Sequence, residues 1–310
     1  MTYFFGKLLA LFAALLLLAA CTQQEKAPAA TTPLPDTETA YVDSVNQWHH
    51  EREENLKKED GWLSLAGLFW LKEGKNTFGS GDGNDLVFPE GKLPAQAGVL
   101  TLDHGKVTAS IAKGVDVKLN GKPVQQEALV YTEGQEPPQM TYGPLTWFVL
   151  KRGDRYGIRL RDAESPVRTA FKGVDRFPVA TKWRLPARLE QNPLPKQIPI
   201  TNILGQTEPE PSPGALVFTV GDSTYRLDAL EEGDELFIIF ADKTNGTDTY
   251  GSGRYLYVPK PGPDGSTTID FNKATNPPCA FVPYATCPLP PKQNFLPLSI
   301  TAGEKTYGHQ

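Results

Sequence analysis

Leu145-Thr-Trp-Phe-Val-Leu-Lys-Arg-Gly-Asp-Arg-Tyr-Gly-Ile-Arg-Leu160 decides the fold class. Two runs rich in β-branched and aromatic residues flank Gly153-Asp154, a turn pair. That pattern reads as a hairpin. On the second run Ile158 and Leu160 alternate with Arg159 and Arg161, so one face is apolar and the other cationic. Three further stretches repeat the hairpin signature. Val115–Leu119 meets Asn120-Gly121, which favours a type I′ turn. Leu216–Val220 meets Gly221-Asp222 and then Tyr225–Leu230. Leu236-Phe-Ile-Ile-Phe240 is short and wholly apolar, the mark of a buried central strand, and Arg254–Val258 adds another.

Composition agrees. The 310 residues include 28 prolines, which argues against a helical bundle because proline breaks helix interiors. The net charge of −5 argues against a nucleic-acid binder, which needs basic patches to neutralise phosphates. A length of 310 residues suffices for about two domains. One helix is expected, Tyr41–Lys58. Tyr41, Val45, Trp48 and Leu56 share a face, and Asp60-Gly61 stops it. His49 and Glu53 stand one turn apart on a charge-rich face that reads as solvated, and no second His-rich element exists to complete a metal site. Pro186–Pro213 holds seven prolines and reads either as a domain boundary or as a rigid strap. The expected organisation is therefore mainly β: residues 41–185 form the helix and a β-sandwich. Residues 186–310 form a Pro-rich β region, either a sandwich or a partly open barrel.

Residues 1–20 read as a signal peptide, with Lys7, an apolar run from Leu8 to Leu18, and Ala19-Ala20. Leu18-Ala-Ala-Cys21 resembles a bacterial lipobox, which implies lipidation of Cys21 and a membrane anchor held by several acyl chains. By analogy Thr22, standing where an aspartate would signal retention, implies the outer membrane with the protein facing the periplasm. Residues 21–40 are polar and Pro/Thr/Ala-rich, the composition of a disordered tether.

Two resemblances extend this reading. Leu71-Lys-Glu-Gly74, Phe78-Gly-Ser80, Asn84-Asp-Leu-Val-Phe-Pro89 and Val117-Lys-Leu-Asn-Gly-Lys-Pro-Val124 resemble a forkhead-associated (FHA) domain, which implies an FHA-like sandwich. No Arg follows Gly79 and no Ser-Arg-x-His follows Pro89, so the phosphothreonine-binding residues are missing. A second set is similar to a bacterial and archaeal family catalogued as domain of unknown function 1684. Its pieces are Gly61-Trp-Leu-Ser-Leu65, Gly157-Ile-Arg-Leu-Arg-Asp162, Phe240-Ala-Asp-Lys-Thr-Asn-Gly246, Thr249-Tyr-Gly-Ser-Gly-Arg254, Ile269-Asp-Phe-Asn272, Pro277-Pro-Cys-Ala-Phe281, Thr286-Cys-Pro-Leu-Pro290 and Ala302-Gly-Glu304. This resemblance implies a fold and a set of positions, not an activity.

The polar residues concentrated here define the candidate site. Arg159, Arg161 and Arg254 offer planar forks for a carboxylate or phosphate. Asp162, Asp242 and Asp270 can orient those forks or bind sugar hydroxyls, and Thr244, Tyr250 and Asn272 lie beside them in sequence. The same residues also read as turn chemistry and buried ion pairs. Cys279 and Cys287, eight apart and flanked by prolines, read as a disulfide in an oxidising compartment. Reactive thiols and metal ligation remain open for them. No G-x-S-x-G, H-E-x-x-H or Walker loop occurs, so no catalytic residue, metal or cofactor is assigned. The expectation is a lipid-anchored envelope module binding an anionic small molecule or glycan, with no nucleic-acid partner. The alternatives are a hydrolase using an Asp242/Asp270 carboxylate pair or Cys279, and a purely structural lipoprotein.

Overall fold

The structure, a computed structural model, describes residues 37–132 and 134–308. The expected signal peptide, the lipidated Cys21 and nearly all of the tether lie outside the described residues. The chain is mainly β with one long N-terminal helix, α1 (Glu38–Lys57). Thr37 caps it, its hydroxyl accepting from the Ala40 amide at 3.2 Å. The buried residues of α1 are Tyr41, Val45, His49 and Leu56. His49 therefore corrects the expectation of a wet face. It is buried, and its Nε2 lies 2.9 Å from the Asn272 carbonyl. Glu53 is equally a structural group, accepting from the Val174 amide at 2.9 Å.

Two sheets follow. β1 (Leu65–Trp70), β2 (Gly74–Gly79), β3 (Leu86–Val87), β4 (Gly98–Asp103), β5 (Lys106–Ile111), β6 (Lys118–Leu119), β7 (Lys122–Pro123), β8 (Gln126–Leu129), β9 (Met140–Tyr142), β10 (Leu145–Arg152) and β11 (Arg155–Asp162) divide between them. One sheet runs β1-β11-β10-β9-β6-β7, the other β3-β2-β4-β5-β8. Both contribute to one core in which Phe78, Phe88 and Trp147 meet, with ring centroids 5.5–5.9 Å apart. Burying such rings against one another is the chief favourable term of a sandwich. The opening hairpin appears as β10 and β11, in register from Leu145↔Asp162 to Arg152↔Arg155. Asn120 and Gly121 both have positive φ, 48° and 80°, as a type I′ turn requires.

After a short helix α2 (Pro166–Thr169) the chain builds a third sheet from β12 (Arg184–Thr201), β13 (Thr207–Val220), β14 (Ser223–Glu232), β15 (Glu235–Phe240), β16 (Arg254–Pro259) and β17 (Ser266–Asp270). Its order is β16-β15-β14-β13-β12-β17. The proline-rich stretch forms one long antiparallel ribbon, β12 with β13. Pro199 faces Pro209, and Gln197 faces Pro211 two residues on. A pair of prolines supplies no N–H to the ladder, so this parity must be the non-hydrogen-bonded one. β14 pairs with β13 only from Gly214 onward, so the proline half of β13 is a free edge, where proline is tolerated.

From Leu236 onward β15 is apolar because both its faces are buried. Leu236, Ile238 and Phe240 enter a second core inside the third sheet. Phe237 and Ile239 enter a third core shared with Leu56 and Leu63, Leu65 of β1, and Ile198 and Ile200 of the ribbon. The described residues accordingly group as one compact unit. No helix among the described residues is long and apolar enough to cross a membrane.

Candidate functional site

Eight of the nine candidate residues separate into three groups, and Tyr250 stands apart from them. Arg254 opens β16 and is fully buried. Its Nη2 donates to Asp242 Oδ2 at 2.6 Å and to the Ile300 carbonyl at 3.0 Å, and its Nη1 donates to the Ala302 carbonyl. Asp242 Oδ1 accepts from the Thr244 hydroxyl at 2.6 Å, the Thr244 amide at 2.8 Å and the Ile300 amide at 3.3 Å. Thr244 also bonds Thr249, and Asn245 ties the Asp242 amide to the Tyr250 carbonyl. This is a buried ion pair with almost every lone pair used, the condition under which such a pair persists. Desolvation lowers the Arg254 pKa, and Asp242 opposes that shift.

Asp270 and Asn272 form a second group, beneath α1. The Tyr41 hydroxyl donates to Asp270 at 2.8 Å, and Asn272 Nδ2 donates to the Tyr41 oxygen at 2.9 Å and to the Ala180 carbonyl at 2.9 Å. Burial, with Asp270 beside it, drives the Tyr41 pKa upward. Asp242 and Asp270 are thus committed to different networks. The sequence reading missed Glu304, which completes the helix dock. It is buried and accepts from Arg52 Nε at 3.0 Å and from the Asn276 amide at 2.6 Å. Glu304 ends one of the quoted motifs, but its partner Arg52 lies 252 positions away and no local pattern links them.

The third group lies on β11. Arg155, Arg159 and Arg161 alternate with core residues and so share the outer face of the hairpin with Arg152 of β10. Phe148 and Leu68 pair directly with Arg159 across the two neighbouring strands. Trp62, 39% exposed, lies over the Arg159 guanidinium at 5.9 Å. Asp162, at the strand end, is held instead by Lys92 at 2.6 Å. Arg159 is only 7% exposed, yet its Nε and Nη2 have no hydrogen-bond partner, and Arg161 Nε also lacks one. Among the described residues no carboxylate forms an ion pair with either arginine. Burial, reinforced by repulsion from Arg152 and Arg161, lowers the Arg159 pKa to about 10. A buried cation without acceptors is costly. The shallow concavities beside the Asn120-Gly121 turn carry none of the candidate residues.

The expected disulfide is not formed, and Cys279 and Cys287 are free thiols. Cys279 sits on a turn of 3₁₀ helix, Pro278–Ala280, and its backbone amide donates to Cys287 Sγ at 3.0 Å. The thiols are within hydrogen-bonding reach of each other, which holds Cys279 below the usual thiol range and pushes Cys287 above it. Tyr250 belongs here rather than with Asp242. Its hydroxyl donates to the Cys279 carbonyl at 3.3 Å, and burial raises its pKa to about 12.

Residues 169–305 match the model of a family described as "Protein of unknown function (DUF1684)". The match takes in the Asp242–Arg254 and Asp270–Asn272 groups and both cysteines, but stops short of β11. No curated protein matches the chain. Among solved structures, an uncharacterized protein of Haloarcula marismortui, determined by solution NMR, is 29% identical. The match covers 46% of this chain and 81% of that one, with a TM-score of 0.39. An FHA domain from a study of phosphothreonine-dependent interactions is 17% identical over 31% of this chain and 95% of its own, with a TM-score of 0.22. The FhaA FHA domain is likewise 17% identical, over 30% and 97%, at the same TM-score.

Proposed function

We propose that this protein is a lipid-anchored module of the bacterial cell envelope that binds an anionic small molecule or acidic glycan on the Arg159–Arg161 face of β11. Arg159 carries the reading: it is a buried guanidinium whose Nε and Nη2 point at no acceptor. A carboxylate or phosphate supplies the bidentate acceptor that this planar fork lacks. The aromatic rings of Trp62 and Phe148 wall the two arginines, lying 5.9 Å from Arg159 and 5.7 Å from Arg161. The lipobox-like Leu18-Ala-Ala-Cys21 supports an acyl anchor, and Thr22 supports an outer-membrane placement facing the periplasm. Thermal melts of the full chain against phosphate, simple carboxylates and acidic sugars test the binding. At least one anion raises Tm in the wild type and does not in Arg159→Met. A flat panel, or a shift that survives Arg159→Met, overturns it.

The anchor has its own test. Mass spectrometry of the mature N-terminus is expected to find an acylated Cys21, and an unmodified terminus downstream of Cys21 refutes it. The Asp242–Arg254 and Asp270–Asn272 networks, in which Arg254 Nε alone lacks a partner, favour the second reading, a purely structural lipoprotein, which a flat panel would leave standing.

A further inference from the structure

Outside the arginine face, one cluster of nucleophilic and metal-ligating groups takes no part in the function proposed above. Cys279 and Cys287 are reduced, adjacent and held by the same proline-ringed loop, with Pro277, Pro278, Pro288 and Pro290 beside them. Proline fixes φ at each of those positions and limits how far the sulfurs can drift apart. The loop is pinned at both ends. The Leu289 amide donates to the Thr201 carbonyl at 2.8 Å, and the Phe281 and Val282 amides donate back to Pro278. Cys287 is buried and Cys279 is half-exposed, so the pair has a closed floor and an open side.

One backbone donor faces the pair. The Cys279 amide donates to Cys287 Sγ at 3.0 Å. The Tyr250 and Tyr255 hydroxyls line the same loop, donating to the Cys279 carbonyl at 3.3 Å and the Pro288 carbonyl at 2.9 Å. An N–H aimed at sulfur favours the sulfur that carries negative charge. The Cys279 backbone and the Cys287 sulfur thus stand in direct contact, and a thiolate is the form of cysteine that ligates a metal.

The donor set also says which metal. Among the described residues, the only place where three or more His, Cys, Asp or Glu ligand atoms converge is the exposed Glu73, Asp103 and His104. No third such ligand therefore joins the two sulfurs. Zinc sites take at least three protein ligands, and calcium and magnesium take oxygens, so none of these is served. Two soft sulfurs with nothing else suit a soft d¹⁰ monovalent ion.

We propose that Cys279 and Cys287 form a two-coordinate site for a soft monovalent cation, with Cu(I) as its representative. Each thiol loses its proton to solvent, two S–Cu bonds form, and no electron is transferred. The product is a bis-thiolate carrying one net negative charge.

The test uses the full chain with Cys21→Ser, so that Cys279 and Cys287 are its only thiols. It is kept oxygen-free with a non-thiol reductant. Cu(I) is presented as its bathocuproine disulfonate complex, and loss of the complex's colour is followed. The protein is expected to withdraw one Cu(I) per chain. Cys279→Ser and Cys287→Ser each weaken uptake by more than about 100-fold, because either leaves a single sulfur. X-ray absorption at the copper edge of the loaded protein needs no variant, and is expected to show two sulfur neighbours in linear geometry. Failure to withdraw Cu(I), uptake that persists in the double serine variant, or a copper shell containing nitrogen or oxygen overturns the site. Cys279→Ser is expected to keep the anion-dependent thermal shift, so this proposal and the arginine-face reading fail separately.

Discussion

Arg254 and Arg159 look alike in the sequence, and burial alone does not separate them. What separates them is their acceptors. Arg254 has a carboxylate and two carbonyls and lacks a partner at Nε alone, whereas Arg159 lacks one at both Nε and Nη2 and has no carboxylate. Removing the carboxylate by Asp242→Ala leaves the Arg254 charge buried and unpaired. It is expected to cost about 3–5 kcal/mol in urea unfolding, and a loss below ~1 kcal/mol would show the pair to be solvent-screened. His49 provides a pH-dependent counterpart. Burial lowers its pKa from the ordinary 6.5 to about 4, with Arg176, Arg52 and Lys273 adding to the shift against the opposing hydrogen bond to Asn272. The unfolded chain therefore takes up a proton between pH 6.5 and 4 that the folded chain refuses. Stability is full above about 6.5, falls as the pH drops, and has lost about 3 kcal/mol by pH 4. Thermal melts across that range should show the decline, and His49→Gln should flatten it.

At the scale of elements, the sequence was legible wherever hydrophobic period and turn chemistry agree. The β10–β11 hairpin, the β13–β14 hairpin, the buried β15 and the Asn120-Gly121 turn all appear where alternation and glycine place them. Helix α1 also appears, but the burial of His49 was hidden, because a histidine among charged neighbours looks wet until its partner, 223 positions away, is known. The ribbon was obscured for a different reason. Seven prolines suggest a linker, yet at Pro199, Pro209 and Pro211 the parity spares the ladder. The clustering of candidate residues was least legible. Proximity in sequence suggested one pocket, and the chain instead distributes those residues over four places, Tyr250 lying beside the cysteines. The loop before β16 depends on Gly253, whose φ is +95° and where an added Cβ would run into Pro290 Cγ and meet the Phe240 carbonyl at 2.8 Å. Gly253→Ala combines backbone strain with a clash, so it is expected to destabilise by about 1–3 kcal/mol. Full stability in the alanine variant would mean the loop relaxes freely.

For the whole molecule, the third core matters most, since α1, β1, the proline ribbon and the cysteine loop all contribute to it. Most of the charged and polar candidates hold that assembly together, and the arginine face of β11 is left over. A group kept for binding is expected to cost the empty protein stability, whereas a group kept for structure supports it. Thermal melts of Arg159→Met beside the wild type, each with and without phosphate or the best anion of the panel, distinguish the two most directly. Removing a buried, unpaired charge is predicted to raise Tm of the ligand-free protein and to abolish the anion-induced rise. A variant that melts several degrees lower without ligand, or one that still responds to the anion, would contradict the assignment of this face as a binding site.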